Sequence, residues 1–271
     1  MQLAVAAAGD DWALGVRRYE NMTQAFGFTP DYAATSSLLA VLVAAGRTDE
    51  ATGLVESMHE QGLPPRMSEY DQLIRMHAHR MAERIHTHER SHTGCRADWA
   101  RALDVLDAAA AVGLQPSPAT FSLATASLKD GPTVPKSQRN LVVECTLTLW
   151  TRLRELGMQP DAKSYDSLIS VLGRAKDFKQ AEWAAREARE AGLHSSSWAL
   201  TALALCARTR MEVQAAVALC TGGVAHRGDE RLISRAATLH LVRKCAEHRL
   251  TTQASQLSQE AVASGIVTAE R

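Results

Sequence analysis

The chain has 271 residues, and its 30 Lys and Arg are balanced by 30 Asp and Glu to a formal net charge of zero. Apolar residues at 46% exclude a disordered chain, aromatics at 5% disfavour a β-sandwich or barrel, and there is no run of 18 uncharged apolar residues to span a membrane. A free-standing nucleic-acid binder usually carries net positive charge, and this chain carries none overall.

Met1–Asp11 holds no Lys or Arg and ends in two acids, which is neither a secretory signal nor an Arg-rich transit peptide. Gln2–Gly9 reads as the tail of a helix that lacks its front half. Either residues upstream of Met1 are missing, or an apolar end docks on a partner.

Thr35–Ala45 is nearly all apolar or small and predicts a helix stopped by Gly46. Thr48-Asp49-Glu50 opens a second helix with acids in its first turn. Its buried stripe is Ala51, Leu54, Val55 and Met58, and Gly62 and Pro65 end it. The pattern returns in Ser164–Gly192, with Tyr165, Leu168, Ile169 and Leu172 on the first helix and Ala181, Ala184, Ala185 and Ala188 on the second. Glu182, Arg186 and Glu190, each four apart, mark a solvated outer face.

The endings repeat as Gly27-Phe28-Thr29-Pro30, Gly62-Leu63-Pro64-Pro65, Gly113-Leu114-Gln115-Pro116, Gly157-Met158-Gln159-Pro160 and Gly192-Leu193-His194-Ser195. The glycines are spaced by 35, 51, 44 and 35 residues. The excess over 35 falls in the His-rich stretch 85–98 and in 130–138, which holds Gly131, Pro132 and Pro135. Both are expected to be inserted loops. Such short helix pairs bury their faces only by stacking, so the expected fold is an all-α solenoid.

The early aromatic, the Ala45-Gly46-Arg47 between helices and the Met58-x-x-x-Gly62-x-x-Pro65 ending resemble the pentatricopeptide repeat family. The resemblance implies a right-handed α-solenoid of helix-turn-helix repeats over residues 1–268. These would be a partial repeat at 3–31, repeats 32–66, 67–117, 118–161 and 162–196, degenerate units 197–228 and 229–268, and a tail at 269–271. The family binds single-stranded organellar RNA, one base per repeat. Two residues of each unit would read a base edge by hydrogen bonding. Here the pairs would be Ser36 with Arg66, Asp71 with Ser117, Ser122 with Asp161, and Asp166 with Ser196, while Thr201 has no identifiable partner. Only Ser122/Asp161 looks like a usual family combination, and Asp71 and Asp166 place acids where Asn or Thr is expected. The residues matching the base-sandwiching position are Ala33, Ser68, Ala119, Lys163 and Trp198. Trp198 is either a stacking platform or part of the core.

Stretches 33–45, 118–128 and 197–207 contain no Lys or Arg, so their helices give phosphates no cation. Basic residues gather instead at Arg75, Arg80, Arg84, Arg90, Arg96 and Arg101. This is either a loop that contacts RNA phosphates without reading sequence or a solvated helix end. His86, His88, His92 and Cys95 offer a weak metal alternative in the same stretch, but the C-x-x-C half of a zinc finger is absent. The five cysteines form no C-x-x-C pair and read as small apolar residues in a reducing compartment.

No nucleophile elbow, P-loop or H-E-x-x-H motif is present. The expectation is therefore a non-enzymatic protein with no cofactor, no membrane and no small-molecule substrate. Its expected partners are RNA and other protein subunits of a large organellar ribonucleoprotein, foremost the mitochondrial ribosome of the matrix. The alternative is a free-standing factor that binds one organellar transcript for processing, stability or editing.

Overall fold

The structure, a computed structural model, describes residues 12–25, 27, 29–87, 92–130, 134–221 and 234–263. Their regular elements are all helices, and no strand occurs among the described residues. The described residues fall into two compact units. One is built from the residues up to Arg84 with Thr93–Pro116, the other from Ile85–His92 with the residues from Ser117 on.

In the first unit, α1 (Trp12–Glu20) runs into a single π turn at Asn21–Ala25. It is followed by α2 (Tyr32–Ala44), α3 (Thr48–Glu60), α4 (Met67–His86, as far as Arg84) and α5 (His92–Ala111, from Thr93). The Tyr19 hydroxyl bonds Thr35 Oγ1 at 3.2 Å, and the Arg47 guanidinium lies 4.1 Å from the Trp12 ring centre, so α1 is fastened to the next pair. Leu39, Met58, Ile74, Met81 and Leu106 form its core, each 0% exposed.

The second unit holds α6 (Pro118–Asp130), a 3₁₀ turn at Lys136–Gln138 and α7 (Arg139–Glu155). Next come α8 (Ala162–Arg174), α9 (Phe178–Glu190), α10 (Ser197–Cys206) and α11 (Arg210–Thr221), then α12 (Arg235–Glu247) and α13 (Thr251–Ala263). The early aromatics are core residues here. Phe121 and Tyr165 flank Trp150 with ring centres 5.0 Å apart on either side, in edge-to-face and tilted contacts. Small residues let the first helices approach one another. A Cβ on Gly173 of α8 would lie 2.8 Å from the backbone of Ala202 on α10.

The recurring glycines have one physical cause. Gly46, Gly62, Gly113, Gly157 and Gly192 all have φ between +67° and +89° and sit just past a helix end. At Gly62 the glycine N–H bonds the carbonyl of His59, and the next N–H, of Leu63, bonds that of Met58. This is the Schellman ending, which needs the left-handed conformation that glycine adopts without strain. Helix starts are capped by side chains. Asp31 Oδ1 accepts the Ala34 N–H at 2.7 Å, and Asp161 with Ser164 forms a reciprocal capping box.

In the first insertion, residues 85–86 and 92–98 are helical rather than loop. Helices α4 and α5 are 20 residues long against 13 for α2 and α3, so much of the stretch 85–98 lengthens helices. The reason is apolar register: Ile85 and Cys95 are fully buried and Trp99 is 3% exposed. In the second insertion, Lys136–Gln138 is a helical turn and α7 is drawn out to 17 residues.

Candidate nucleic-acid interface

The first members of the expected base-reading pairs lie one turn into the first helix of each pair. The second members lie just before the first helix of the following pair. Both positions are set by local chemistry, because the second member doubles as the N-cap at Asp161, Ser196 and Ser234.

In the second unit the two positions meet directly. Asp166 Oδ1 accepts the backbone N–H of Ser196 at 2.8 Å, and Thr201 Oγ1 accepts that of Ser234 at 3.0 Å. Ser234 therefore stands to Thr201 as Ser196 stands to Asp166. Its signal in the sequence was a serine N-cap, hidden by the irregular spacing of the last two pairs. Burial pushes the Asp166 carboxyl up, against the Ser196 N–H, which favours its charged form. Ser122 and Asp161 are employed separately. Ser122 is 7% exposed with its Oγ unpartnered, while Asp161 caps α8 through the Ser164 N–H at 2.7 Å.

In the first unit Ser36 and Arg66 converge on a residue that the sequence reading missed. Glu69, 2% exposed, accepts the Ser36 hydroxyl on Oε1 at 3.0 Å. Its Oε2 accepts the Arg66 N–H at 3.0 Å, the Ser68 hydroxyl at 3.0 Å and the Tyr32 hydroxyl at 2.5 Å. The Arg66 guanidinium caps the Tyr32 ring at 4.5 Å. Burial works to raise Glu69, but these donors together outweigh it and hold the carboxyl below its usual range. Burial, the hydrogen bond and the carboxylate charge push the Tyr32 phenol up to about 12. The signal for Glu69 was present: it is the third residue after Arg66, where a carboxylate reaches back to the N-terminal N–H of a helix. Asp71 is half-buried on α4, and Ser117 gives its N–H to Thr120 Oγ1 at 3.2 Å.

The sandwich positions differ in what they offer. Ala33 is half-buried, and Ser68, Ala119 and Lys163 are exposed. Trp198 is 57% exposed, so it is no core residue; an indole face is presented to solvent. Leu239 falls five residues after Ser234, as Thr201 falls five after Ser196, and is 49% exposed. An apolar side chain there has no group to read a base edge.

The arginines expected to meet phosphate divide into two kinds. Arg75, Arg96 and Arg101 are exposed. Arg84 and Arg80 are half-buried and serve the buried Asp98: Arg84 Nε bonds its Oδ2 at 2.7 Å, and Arg80 Nε lies 4.0 Å from Oδ1. Arg80 also donates to Thr48 Oγ1 at 2.6 Å. Arg90 and His88 lie outside the described residues. His86 is the last residue of α4, His92 the first of α5, and Cys95 is buried. Among the described residues, no group of three or more His, Cys, Asp and Glu is placed to hold a metal ion.

A second group of cations, scattered in the sequence, comes together in the second unit. Lys176, at φ +65° in the turn after α8, gives its Nζ to the Leu205 carbonyl at 3.1 Å. Burial lowers its ammonium, and the nearby charges of Arg208, Arg139 and Arg174 push the same way. Burial likewise lowers Arg174, against the pull of Asp130.

Among solved structures, the chain is similar to the crystal structure of the pentatricopeptide repeat protein PPR10 from maize. The identity is 18%, the TM-score 0.67, and the match covers 97% of this chain and 34% of that one. The chain has the pentatricopeptide repeat fold. It also matches PPR10 in complex with an 18-nt psaJ RNA element, at 18% identity and a TM-score of 0.55 over 98% of this chain and 36% of the other. A cysteine-substituted form of that pentatricopeptide complex matches equally. The chain thus spans about a third of the length of the pentatricopeptide proteins it resembles. No family model matches it, and no curated protein does.

Proposed function

We propose that this chain is a non-enzymatic scaffold and RNA-contacting subunit of a large organellar ribonucleoprotein, foremost the mitochondrial ribosome in the matrix. The observation that carries this reading is the employment of the base-reading positions. Asp166, Thr201 and Ser36 already bond within the protein, to Ser196, Ser234 and Glu69. Each of these bonds takes up one hydrogen-bonding site of the side chain and fixes its orientation, which leaves it fewer ways to meet a base edge. RNA would then be met through phosphates, for which the group Arg139, Arg174, Lys176 and Arg208 supplies the charge. The RNA bound in the PPR10 complex supports RNA as the partner class.

The second reading is a free-standing factor that binds one single-stranded transcript, and exposed Trp198 favours it. Stacking of a base on an aromatic is worth roughly 1–3 kcal/mol. Two measurements separate the readings. Binding of the purified protein to randomised single-stranded RNA pools should be weak and unselective, and the protein should co-sediment with ribosomal particles in a sucrose gradient from the source organelle. Tight, sequence-selective binding, with sedimentation away from particles, would overturn the scaffold reading.

A further inference from the structure

A groove of about 380 Å³ opens on the first unit, lined by one stripe of α3, one stripe of α5 and a single residue of α4. The α3 stripe is Asp49, Thr52, Gly53 and Glu56, spaced so that all four share one face. The α5 stripe is Arg101, Asp104 and Val105. Three carboxylates against one guanidinium leave the groove net negative. Gly53 keeps it open: nothing lies within 4 Å of where its Cβ would stand, so no packing demand excludes alanine there.

The residue from α4 is His77, 3% exposed, and its buried Nδ1 has no hydrogen-bond partner. A buried polar atom left unpaired is uncommon in a native protein and calls for a cause. Burial, helped by the charges of Arg101 and Arg80 against those of Asp98 and Asp49, lowers the imidazole and keeps it neutral. A neutral imidazole can accept a hydrogen bond, and it lines a groove rimmed with carboxylates.

A phosphate backbone would be repelled by this rim, which sets the groove apart from the RNA surface. The donors are not placed for a metal ion among the described residues. A planar guanidinium suits it better than a compact ammonium. Its fork of donors can engage carboxylates on both stripes at once, and its aliphatic stem can lie along Val105. We propose that this groove receives an arginine side chain from a basic segment of a partner protein.

The proposal deepens the scaffold reading by naming the chemistry of one protein contact, and it is tested without RNA, so its failure leaves the RNA reading standing. The probe is a fluorescein-labelled peptide of alternating glycine and arginine, titrated against the full chain and followed by anisotropy. Its partners are the same peptide with citrulline, isosteric but uncharged, and with lysine. Saturable binding is expected for the arginine peptide, at least tenfold weaker for the lysine peptide and absent for citrulline. The double variant Glu56→Gln/Asp104→Asn should weaken the arginine peptide at least tenfold. Gly53→Leu, which fills the groove, should do the same while keeping the helical circular dichroism. Glu60→Gln, on α3 outside the groove, should bind as the parent does. Equal binding of citrulline or lysine peptides would overturn the assignment. So would a Glu56→Gln/Asp104→Asn protein that binds no worse than Glu60→Gln.

Discussion

Glu69 gathers four donors on one carboxylate and so ties together two helix pairs. Hydrogen bonds to a charged group are worth about 1.5–3 kcal/mol each when intact, and a donor stranded by their loss costs about 1–3 kcal/mol. Glu69→Gln keeps the shape but loses the charge and one acceptor oxygen, so a loss of roughly 1–3 kcal/mol in chemical denaturation is expected. The same variant should bring the Tyr32 phenol down from about 12, because the carboxylate charge that raises it is lost while the Arg66 charge that lowers it remains. Phenolate absorbance during a pH titration checks that shift. His77 gives the opposite kind of handle. Its folded pKa lies below the ordinary histidine value. Below about pH 6.5 the unfolded chain therefore takes up a proton that the folded chain refuses. Stability should fall as the pH drops from 7 toward 5, and His77→Gln should flatten that part of the denaturation-midpoint profile.

At the scale of the helices, the glycines and the close approach of α8 to α10 divide what could be read in advance from what could not. The periodic glycines were legible because the left-handed ending of a helix is a local demand, met by one residue type. Lys176 and Arg249 adopt the same backbone, at φ +65° and +56°, without glycine, so they left no mark in the pattern. The extra residues at 85–98 read as a loop because they are polar and rich in histidine. The helical state of 85–86 and 92–98 goes with long-range burial of Ile85, Cys95 and Trp99, which no local pattern announces. The paired positions were legible through family resemblance, whereas their mutual hydrogen bonds join residues about 30 apart and needed coordinates. The crossing at Gly173 was equally hidden. Gly173→Val would drive side-chain carbons into the Ala202 backbone, 2.8 Å from its Cβ position. Backbone cannot swing away as a flexible side chain can, so a loss of about 1–3 kcal/mol is expected. Gly53→Ala is the counterpart. With open space at its Cβ, it should stabilise by about 0.5–1 kcal/mol through helix propensity alone. Thermal unfolding of the two variants side by side checks both signs.

For the molecule as a whole, zero net charge takes on a definite meaning. Stretches 33–45, 118–128 and 197–207 of the first helices carry no Lys or Arg. Many of the cations are paired with acids, as Arg80 and Arg84 are with Asp98, Arg154 with Glu187 and Arg186 with Glu182, while Arg139, Arg174, Lys176 and Arg208 act on one another. Affinity for RNA should therefore come from a few phosphate contacts and depend little on the bases. Each phosphate neutralised on a single strand contributes about −0.7 to the slope of log affinity against log salt. Removing Arg174 and Arg208 together should reduce that slope by about 1.4, lowering affinity for every RNA sequence alike. Asp166→Asn and Thr201→Val touch the base-reading positions instead. Asparagine keeps an acceptor for the Ser196 N–H, and valine leaves the Ser234 N–H without one, so the second variant should lose stability while neither changes base preference. A decoder would behave in reverse. Its salt slope would be indifferent to Arg174 and Arg208, and Asp166→Asn would shift the preferred base at one position by about 1–3 kcal/mol. Selection from a randomised RNA pool at two salt concentrations, run on the parent and the three variants, measures both behaviours in one experiment.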